Sequence, residues 1–335
     1  MSLKARHPML VPMNAFGVVA IGRNEGERLK RCLQSVSDAN TIIYVDSGSS
    51  DGSAQWARDQ GLEVVALDIT IPFTASRARN AGFKYLRKLA PELNFVQFID
   101  ADCELNRDWP GLALCFLAAH SQVAAVCGRL RERFPDRTIY NWLCDREWDG
   151  PVGEIRSCAG NVMMRAHALE IVGGYREDVI AGEEYELSVR LRAAGWRSWR
   201  IGIEMALHDA AMTHFSQWWR RTVRAGYAFA QGAFLHGAPP ERHFVWESRR
   251  AWAWGIVLPI ICLLLGITFG SWAWTVWLIY PVQLLRQTVR NTGSIRDRAM
   301  LALFQILARF PEGWGQIKFA LDRLRGRQAQ LIEYK

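Results

Sequence analysis

Short apolar runs alternate with amphipathic stretches through the first hundred residues of the chain. Each run is rich in β-branched residues, and the stretch after it places apolar residues at helical spacing. The pattern predicts strands at 16–22, 41–45, 62–67 and 95–99, and helices between them that begin at Asn24, Asp51 and Thr74. Strands that alternate with helices predict an α/β fold, Rossmann-like, with a mainly parallel central sheet.

The predicted helices also have recognisable first and last residues. Asn24 is predicted to cap the first helix, because Glu27 follows it three residues later, as in a capping box. Further along, the pattern predicts a helix at 108–120, a strand at 123–130 and a helix at 182–195 that ends at a glycine. The α/β pattern therefore continues well beyond the first hundred residues.

We expect one α/β domain over residues 1–212, after which the chain changes character. Residues 213–250 mix aromatic residues with arginine, as amphipathic helices at a membrane interface do. Residues 251–285 contain no charged residue, and this stretch is too long for one span of about 20 residues and a little short for two. We expect a tight hydrophobic helical hairpin that turns near Gly270, followed by a basic helical tail at 286–335.

Charge supports a membrane-associated helical region at the C-terminal end. The 335 residues carry a net charge of +8, and arginines lie on both sides of the uncharged stretch. By the positive-inside rule, both ends of the hairpin then face the cytoplasm. Nucleic acid would also suit a basic chain, but arginine interleaved with tryptophan beside an uncharged hairpin favours a membrane surface and no nucleic acid. The alternative is a buried core hairpin of a soluble domain.

The cysteines and the N-terminus indicate a cellular location. The seven cysteines show no CxxC spacing and are odd in number, which argues against a disulfide framework or a zinc site and fits a reducing compartment. The first residues lack the long apolar segment and cleavage site of a signal peptide. We therefore expect the cytoplasmic face of the inner membrane, with the protein integral or monotopic through residues 251–285.

Two aspartates directly follow the apolar strand at 95–99. In parallel sheets ligands bind beyond the carboxyl ends of the strands, where Asp100 and Asp102 lie. Repulsion between the two carboxylates is relieved by water or by a hard divalent cation that both can face. The pattern predicts either a solvated acidic cluster or a site for Mn²⁺ or Mg²⁺ that in turn binds the phosphates of a nucleotide.

A second acidic residue, Asp46, ends the strand at 41–45. The small residues after it leave room for a nucleoside close to the backbone, although Ser49 could instead cap the next helix. In the helix that begins at Thr74, Arg79 either approaches a base or phosphates or lies on a solvated basic face.

Candidate chemistry on the acceptor side lies further along the chain. Glu183 and Glu184 begin a predicted helix, where the helix dipole favours acidic residues, but a carboxylate there could also deprotonate an acceptor hydroxyl. His208 is either a surface histidine or a metal or phosphate contact.

Six motifs occur in an order that resembles glycosyltransferase family 2, whose members are inverting enzymes with the GT-A fold. The resemblance covers residues 16–225. The motifs are VVAIGRNE, VDSGSSDGS, ARNAG, FIDAD, GNVMMR with VGGYRED, and GEEYELSVRLRAAGW. Together they imply transfer of a sugar from a nucleoside-diphosphate sugar, with UDP favoured by its frequency in the family. The membrane-associated tail adds the expectation of a lipid-linked or glycan acceptor in exopolysaccharide or envelope glycan biosynthesis.

The resemblance also implies roles for individual residues. Residues expected at the nucleotide sugar are Asn24, Glu25, Asp46, Ser49, Arg79, Asp100 and Ala101. Metal ligands are expected at Asp102, Asp100 and His208. The catalytic base is expected at Glu184 or Glu183, and here the chain departs from the family, which usually has Glu-Asp. A glutamate reaches one methylene further, so the helix or the acceptor would sit slightly further back.

Two other functional classes remain open from the sequence. One is a non-catalytic membrane component that uses the same fold to bind a nucleotide or a partner. The other is a nucleotidyltransferase, although those enzymes usually carry a glycine-rich basic loop after the first strand, whereas IGRNEGERLKR reads as a capped helix.

Overall fold

The computed structural model describes residues 16–326 and residue 332. Residues 1–15 of the predicted α/β domain and the end of the predicted basic tail lie outside the described residues. The chain divides into two compact units. Among the described residues, the first comprises those up to Glu177 together with Glu183–Ala211, and the second comprises Asp178–Gly182 and those from Met212 onward.

The first unit is built on a single mixed β-sheet. The strands are β1 (Phe16–Gly22), β2 (Thr41–Asp46), β3 (Glu63–Ala66), β4 (Phe95–Asp100), β5 (Cys103–Leu105), β6 (Val123–Glu132), β7 (Gly153–Ile155), β8 (Val162–Arg165) and β9 (Arg197–His208). Their order in the sheet is β3-β2-β1-β4-β8-β6-β9-β5, and β7 pairs with β9. Strands β1 to β4 are parallel, whereas β8 runs antiparallel to both of its neighbours.

Burial explains why the predicted strands form at these positions. In β1, Val18, Val19 and Ala20 are fully buried, so both faces of this central strand are covered. Apolar runs of this kind are typical of parallel strands with helices on both sides. The expected α/β fold with a mainly parallel sheet is confirmed, and the four predicted N-terminal strands match β1 to β4 to within one residue at each end.

Seven helices of the described chain belong to the first unit. They are α1 (Glu27–Ser35), α2 (Ser53–Asp59), α3 (Ala75–Leu89), α4 (Trp109–Ala119), α5 (Ile139–Glu147), α6 (Ala166–Ile171) and α7 (Glu183–Ala193). The predicted cap of α1 at Asn24 is wrong, because Gly26 occupies the N-cap position. Asn24 has a left-handed backbone with a φ of 57°, and the β2–α2 loop engages it instead.

The second unit is helical. Its α-helices are α8 (Phe215–His236), α9 (Val245–Trp252), α10 (Leu258–Phe269), α11 (Ile279–Arg290), α12 (Ile295–Leu307) and α13 (Arg309–Leu324). Helices α8 and α13 approach very closely, because a Cβ added at Gly226 would lie 2.1 Å from the Glu312 carbonyl oxygen. A Cβ at Gly315 would likewise lie 2.3 Å from the Val223 oxygen, so both glycines are needed for backbone contact.

The uncharged stretch folds into two helical legs. One π-helical turn at Ala253–Val257 joins α9 to α10, which gives a 25-residue helix over Val245–Phe269. Gly270 ends it with a φ of 82°, and a 3₁₀ helix at Ser271–Leu278 then leads into α11. The second leg lies along the first, since the Tyr280 hydroxyl donates to the Trp254 carbonyl at 2.7 Å. The helix Val245–Phe269 is long and apolar enough to cross a membrane, and much of its apolar surface is exposed.

Candidate active site

The loop after β2 is organised by Asp46. Its carboxylate is buried and accepts hydrogen bonds from the backbone N–H groups of Gly48 (3.1 Å) and Ser49 (3.0 Å) and from the Tyr44 hydroxyl (3.1 Å). Burial and the nearby Asp46 charge raise the pKa of Tyr44, so this phenol stays a hydrogen-bond donor. Asp46 therefore fixes the backbone of a loop at the carboxyl edge of the sheet.

The β1–α1 loop is joined to the same β2–α2 loop. The Asn24 N–H donates to Ser49 Oγ at 2.9 Å, and the Asn24 side-chain oxygen accepts from the Ser50 N–H at 2.8 Å. Glu25 forms an ion pair with Arg28 at 2.7 Å. These contacts hold the two loops together as one polar rim beyond the ends of β1 and β2.

Backbone packing is tight where β4 ends. The Ala101 N–H donates to the Ile21 carbonyl at 2.8 Å, and Ala101 is 1% exposed. A Cβ added at Gly22 would lie 2.6 Å from the Ala101 side chain. The turn between Asp100 and Asp102 therefore lies directly against β1.

Asp102 faces His208, at the end of β9. Asp102 Oδ2 lies 3.1 Å from His208 Nε2, and Trp148 stacks on the imidazole with ring centroids 4.5 Å apart. Cys103 lies beside them, and the Asn161 side-chain amide donates to its sulfur at 3.4 Å. β5 and β9 bring the groups together, since Cys103 is paired with His208 in the sheet register.

This cluster fits a divalent cation. One ligand atom from each of Asp102, Cys103 and His208 lies within 4.8 Å of the others. His208 Nδ1 is buried and has no hydrogen-bond partner among the described residues, so the ring has unused coordinating capacity. The Asp102 carboxylate is a ligand that Mn²⁺ and Mg²⁺ prefer, whereas the His208 imidazole and the Cys103 thiol are softer ligands.

Asp100 belongs to a second cluster, around Arg79. The Arg79 side chain is 2% exposed, and its Nη2 lies 2.9 Å from Asp100 Oδ1. The other terminal nitrogen, Nη1, lies 2.8 Å from Glu183 Oε1 and 3.1 Å from Glu184 Oε1. One buried positive charge thus faces three acidic groups from β4 and α7.

Contacts of the residues around Arg79 fix the position of its helical turn. Thr74 caps α3 by accepting from the Arg77 N–H, and the Asn80 side chain donates to the Tyr175 carbonyl and accepts from its N–H, both at 2.8 Å. A Cβ at Gly160 would lie 2.2 Å from Arg79 Nη2 and 2.9 Å from Glu184 Oε1. The absence of a side chain at position 160 therefore leaves space for the arginine.

The two glutamates of α7 differ in environment. The side chain of Glu183 is 5% exposed, whereas that of Glu184 is 16% exposed. Burial, followed by the neighbouring Glu183 charge, raises the pKa of Glu184 to about 8, although Arg79 acts in the opposite direction. A carboxylate with a pKa near the working pH and some access to solvent suits proton transfer.

Comparison with known proteins bears on this arrangement. Residues 18–168 match the family model described as "Glycosyl transferase family 2". These residues are a glycosyltransferase family 2 domain. They include most of β1, all of β2 to β4, the Asp46 loop, Arg79, both aspartates and Asn161. None of the curated proteins compared with the chain matches it.

Two solved structures have a similar fold along nearly the whole chain. One is the mannosyltransferase PcManGT from Pyrobaculum calidifontis in complex with GDP-Man and Mn²⁺, with a TM-score of 0.62 and 18% identity, covering 95% of this chain and 90% of that one. The other is S. aureus TarS 1-349 in complex with UDP, with a TM-score of 0.50 and 13% identity, covering 93% and 92%. At these identities the likeness shows the fold, which is that of the GT-A enzymes.

The structure distributes the predicted site residues over three groups. Asn24, Ser49 and Asp46 form the loop rim with Glu25 nearby, Asp102 and His208 form the candidate metal cluster, and Asp100 joins Arg79 with Glu183 and Glu184. Asp100 and Asp102 were expected to face one cation together, and instead they have different partners. Arg77, in the same helical turn as Arg79, donates to loop carbonyls of Asp68 and Ile71.

Three site residues were missed by sequence reasoning. Asn161 binds the Asp100 N–H at 3.0 Å as well as Cys103, and its place in GNVMMR was a usable signal. Gly160 lies in the same motif, and its role depends on packing that only the fold reveals. Trp148 carries no sequence signal for its stacking on His208, since the two residues are 60 positions apart.

Proposed function

We propose that the protein is an inverting, metal-dependent glycosyltransferase that moves a sugar from a nucleoside-diphosphate sugar to a hydroxyl of a lipid-linked acceptor. The pathway we propose is exopolysaccharide or envelope glycan assembly. The family 2 domain supports sugar transfer from a nucleotide donor, the acidic groups support a metal and a base, and the second unit supports a lipid-linked acceptor.

The donor would bind at the carboxyl edge of the sheet. Asp46 and Ser49 hold the loop rim where a nucleoside fits against the backbone, with Asn24, Glu25 and Ala101 around it. Asp102 and His208 would hold the cation, with Asp100 on the diphosphate side. When bound, the cation supplies Lewis-acid assistance to the departing nucleoside diphosphate.

Glu184 is proposed as the base. It would accept the proton of the acceptor hydroxyl, whose oxygen then attacks the anomeric carbon from the face opposite the leaving group, with inversion. Glu184 is favoured over Glu183 because its side chain is more exposed and its pKa is about 8. The observation that carries the proposal is the Arg79 cluster, which places the donor-side Asp100 and the candidate base around one guanidinium.

A lipid-linked acceptor is supported by the second unit. The helix Val245–Phe269 and the leg after it expose large apolar side chains, among them Ile267 at 67% and Trp272 at 69%. Such a surface suits a bilayer, and arginines at both ends suit anionic headgroups. A protein held at the cytoplasmic leaflet would meet a lipid-borne acceptor at high effective concentration.

Nucleotide binding tests the donor side directly. Thermal shifts of the detergent-purified protein with UDP, GDP, dTDP and CDP sugars, each with and without Mn²⁺, should show a metal-dependent shift for one nucleotide. UDP is the first to test by family frequency, and GDP follows because a similar structure holds GDP-Man.

A matched pair of variants tests whether Asp102 binds the metal. Asp102→Asn should abolish the Mn²⁺-dependent shift and transfer, whereas Asp108→Asn, at an exposed position with no side-chain cap contact, should change neither. Near-normal, metal-dependent turnover in Asp102→Asn would show that the metal assignment is wrong.

A further inference from the structure

Cys103 has a more polar environment than an ordinary buried cysteine. Buried free cysteines usually pack as small apolar side chains. Cys103 is fully buried, yet its thiol donates to Asp102 Oδ1 at 3.5 Å, and the Asn161 side-chain amide donates to its sulfur at 3.4 Å. The other carboxylate oxygen of Asp102 faces His208 Nε2. The sulfur therefore belongs to the candidate metal cluster by direct contact as well as by sequence position.

The orientation of the Asn161 amide is fixed by a second contact. Its oxygen accepts the Asp100 N–H at 3.0 Å, so its nitrogen must face Cys103. An N–H donor held at the sulfur favours a thiolate over a thiol, because a hydrogen bond to the charged form stabilises that form. The thiol proton in turn lies between Cys103 and Asp102, where a cation shared by the two side chains would replace it.

The spacing of these atoms matches a small tetrahedral cation. With metal–oxygen and metal–nitrogen bonds of about 2.0–2.2 Å and a metal–sulfur bond of about 2.3 Å, neighbouring ligand atoms lie roughly 3.3–3.8 Å apart. The separation of Asp102 from Cys103 is 3.5 Å, and that of Asp102 from His208 is 3.1 Å. The pairing of Cys103 with His208 across β5 and β9 holds both sides of the cluster. Three protein ligands of this kind leave a fourth position open.

We propose that Cys103 binds the metal as a thiolate and makes this site select Zn²⁺ and Co²⁺ over Mn²⁺ and Mg²⁺. Thiolate and imidazole suit Zn²⁺, whereas Mn²⁺ and Mg²⁺ suit carboxylate, carbonyl and water oxygens. As the sulfur–metal bond forms, the thiol proton passes to the buffer, and no group is oxidised or reduced. The proposal deepens the proposed function and rests on it in one respect, since the open fourth position would accept an oxygen of the donor diphosphate.

Cobalt reports the ligand directly. Co²⁺ added to the full-length, detergent-purified protein after chelator treatment should give the near-ultraviolet absorption of thiolate-to-cobalt charge transfer. Cys103→Ser should lose this band, whereas Cys115→Ser, which replaces an exposed cysteine of α4, should keep it. Cobalt bound without the band, or a band that disappears with Cys115→Ser, would overturn the role of Cys103.

Affinities measure the selection between metals. Zn²⁺ binds most protein sites more tightly than Mn²⁺ does, so the informative quantity is the change in each affinity when Cys103 is replaced. Cys103→Ser should weaken Zn²⁺ binding on the order of a hundredfold, since even residues that only contact a ligand contribute roughly 10–100-fold. Mn²⁺ binding should change by less than about tenfold, because Mn²⁺ depends mainly on the Asp102 oxygen. Competition with a chromophoric chelator measures both constants, and an equal loss for both cations would overturn the selection.

X-ray absorption keeps the proposal testable if Cys103→Ser fails to fold. The zinc-loaded parent protein should show one sulfur at about 2.3 Å from the metal, and a shell of oxygen and nitrogen alone would overturn the proposal. The two proposals fail differently. Zinc bound through sulfur with no thermal shift from any nucleoside diphosphate contradicts the proposed function and supports the role of Cys103. A nucleotide shift with Mn²⁺ and no sulfur on any bound cation overturns the role of Cys103 alone.

Discussion

The carboxyl edge of the sheet and the uncharged hairpin treat charge in opposite ways. At the sheet edge, three acidic groups surround one buried arginine, next to strands whose apolar side chains are buried. In the hairpin, charge is excluded from residues 251–285, and apolar side chains lie on the surface. Buried charge is costly unless it is paired, and exposed apolar surface is costly unless something covers it. The acidic groups at the sheet edge are therefore paired with Arg79, whereas the apolar side chains of the hairpin stay exposed.

The largest expected effect is a loss of kcat when the proposed base at the sheet edge is replaced. Glu184→Gln should lower kcat by roughly 10²–10⁴-fold, because a general base contributes about that much. Steady-state transfer assays with the nucleotide found by thermal shift would measure it. Glu92→Gln, an exposed glutamate outside the site, is the matched control. A loss below tenfold in Glu184→Gln, with a large loss in Glu183→Gln, would move the base to Glu183.

The second prediction tests the hairpin by removing the charge around it. Replacing the exposed Arg249, Arg286 and Arg290 with glutamine should weaken binding to anionic vesicles on the order of a hundredfold, at about 1 kcal/mol per arginine. Flotation with phosphatidylglycerol-containing and purely phosphatidylcholine vesicles would measure this. Equal binding of parent and variant to both vesicle types would mean that the basic flanks do not contact lipid headgroups.

A third prediction concerns packing within the helical unit. Gly226→Ala should destabilise it by about 1–3 kcal/mol, because the methyl would meet the Glu312 backbone at 2.1 Å. Gly111→Ala in α4 has nothing within 4 Å of the added methyl and should be neutral or stabilising. Thermal unfolding in detergent compares the two, and equal stabilities would show that α8 and α13 separate easily.

The last prediction is a pH dependence that belongs to the sheet edge alone. For the free enzyme, kcat/KM should rise about tenfold per pH unit up to about 8, because only the deprotonated Glu184 accepts a proton. The stability of the fold changes with pH in the opposite direction. The folded protein holds the Glu184 proton more tightly than the unfolded chain does, so this group destabilises the fold as pH rises from about 4.5 to about 8. Denaturant unfolding across this pH range should show the slope in the parent protein and not in Glu184→Gln.

Sequence patterns predicted what depends on neighbouring residues in the chain. The β1 run and the Gly270 break are local, and the strand and the helix end lie where the pattern places them. The cap at Asn24 failed because contacts from Ser49 and Ser50, more than twenty residues away, determine the conformation of that loop.

The contacts of the site were less predictable than its residues. Asp100 and Asp102 were expected to act together because a single residue separates them in the sequence, and in the structure Asp100 contacts Arg79 while Asp102 contacts His208. Arg79 meets Asp100 across 21 positions and Glu183 across 104, so no local pattern could reveal that it links them.

Gly160 has a consequence for how this protein can be altered. A single methyl there would collide with both Arg79 and Glu184, so the arrangement of the charged groups depends on a glycine at this position. Enlarging the residue by one carbon would displace the arginine while leaving every ionisable group in the sequence unchanged. A substitution at Gly160 could therefore change the positions of Arg79 and Glu184 while every charged residue is kept. Substitutions of the charged residues themselves cannot do this, because they also change the charge.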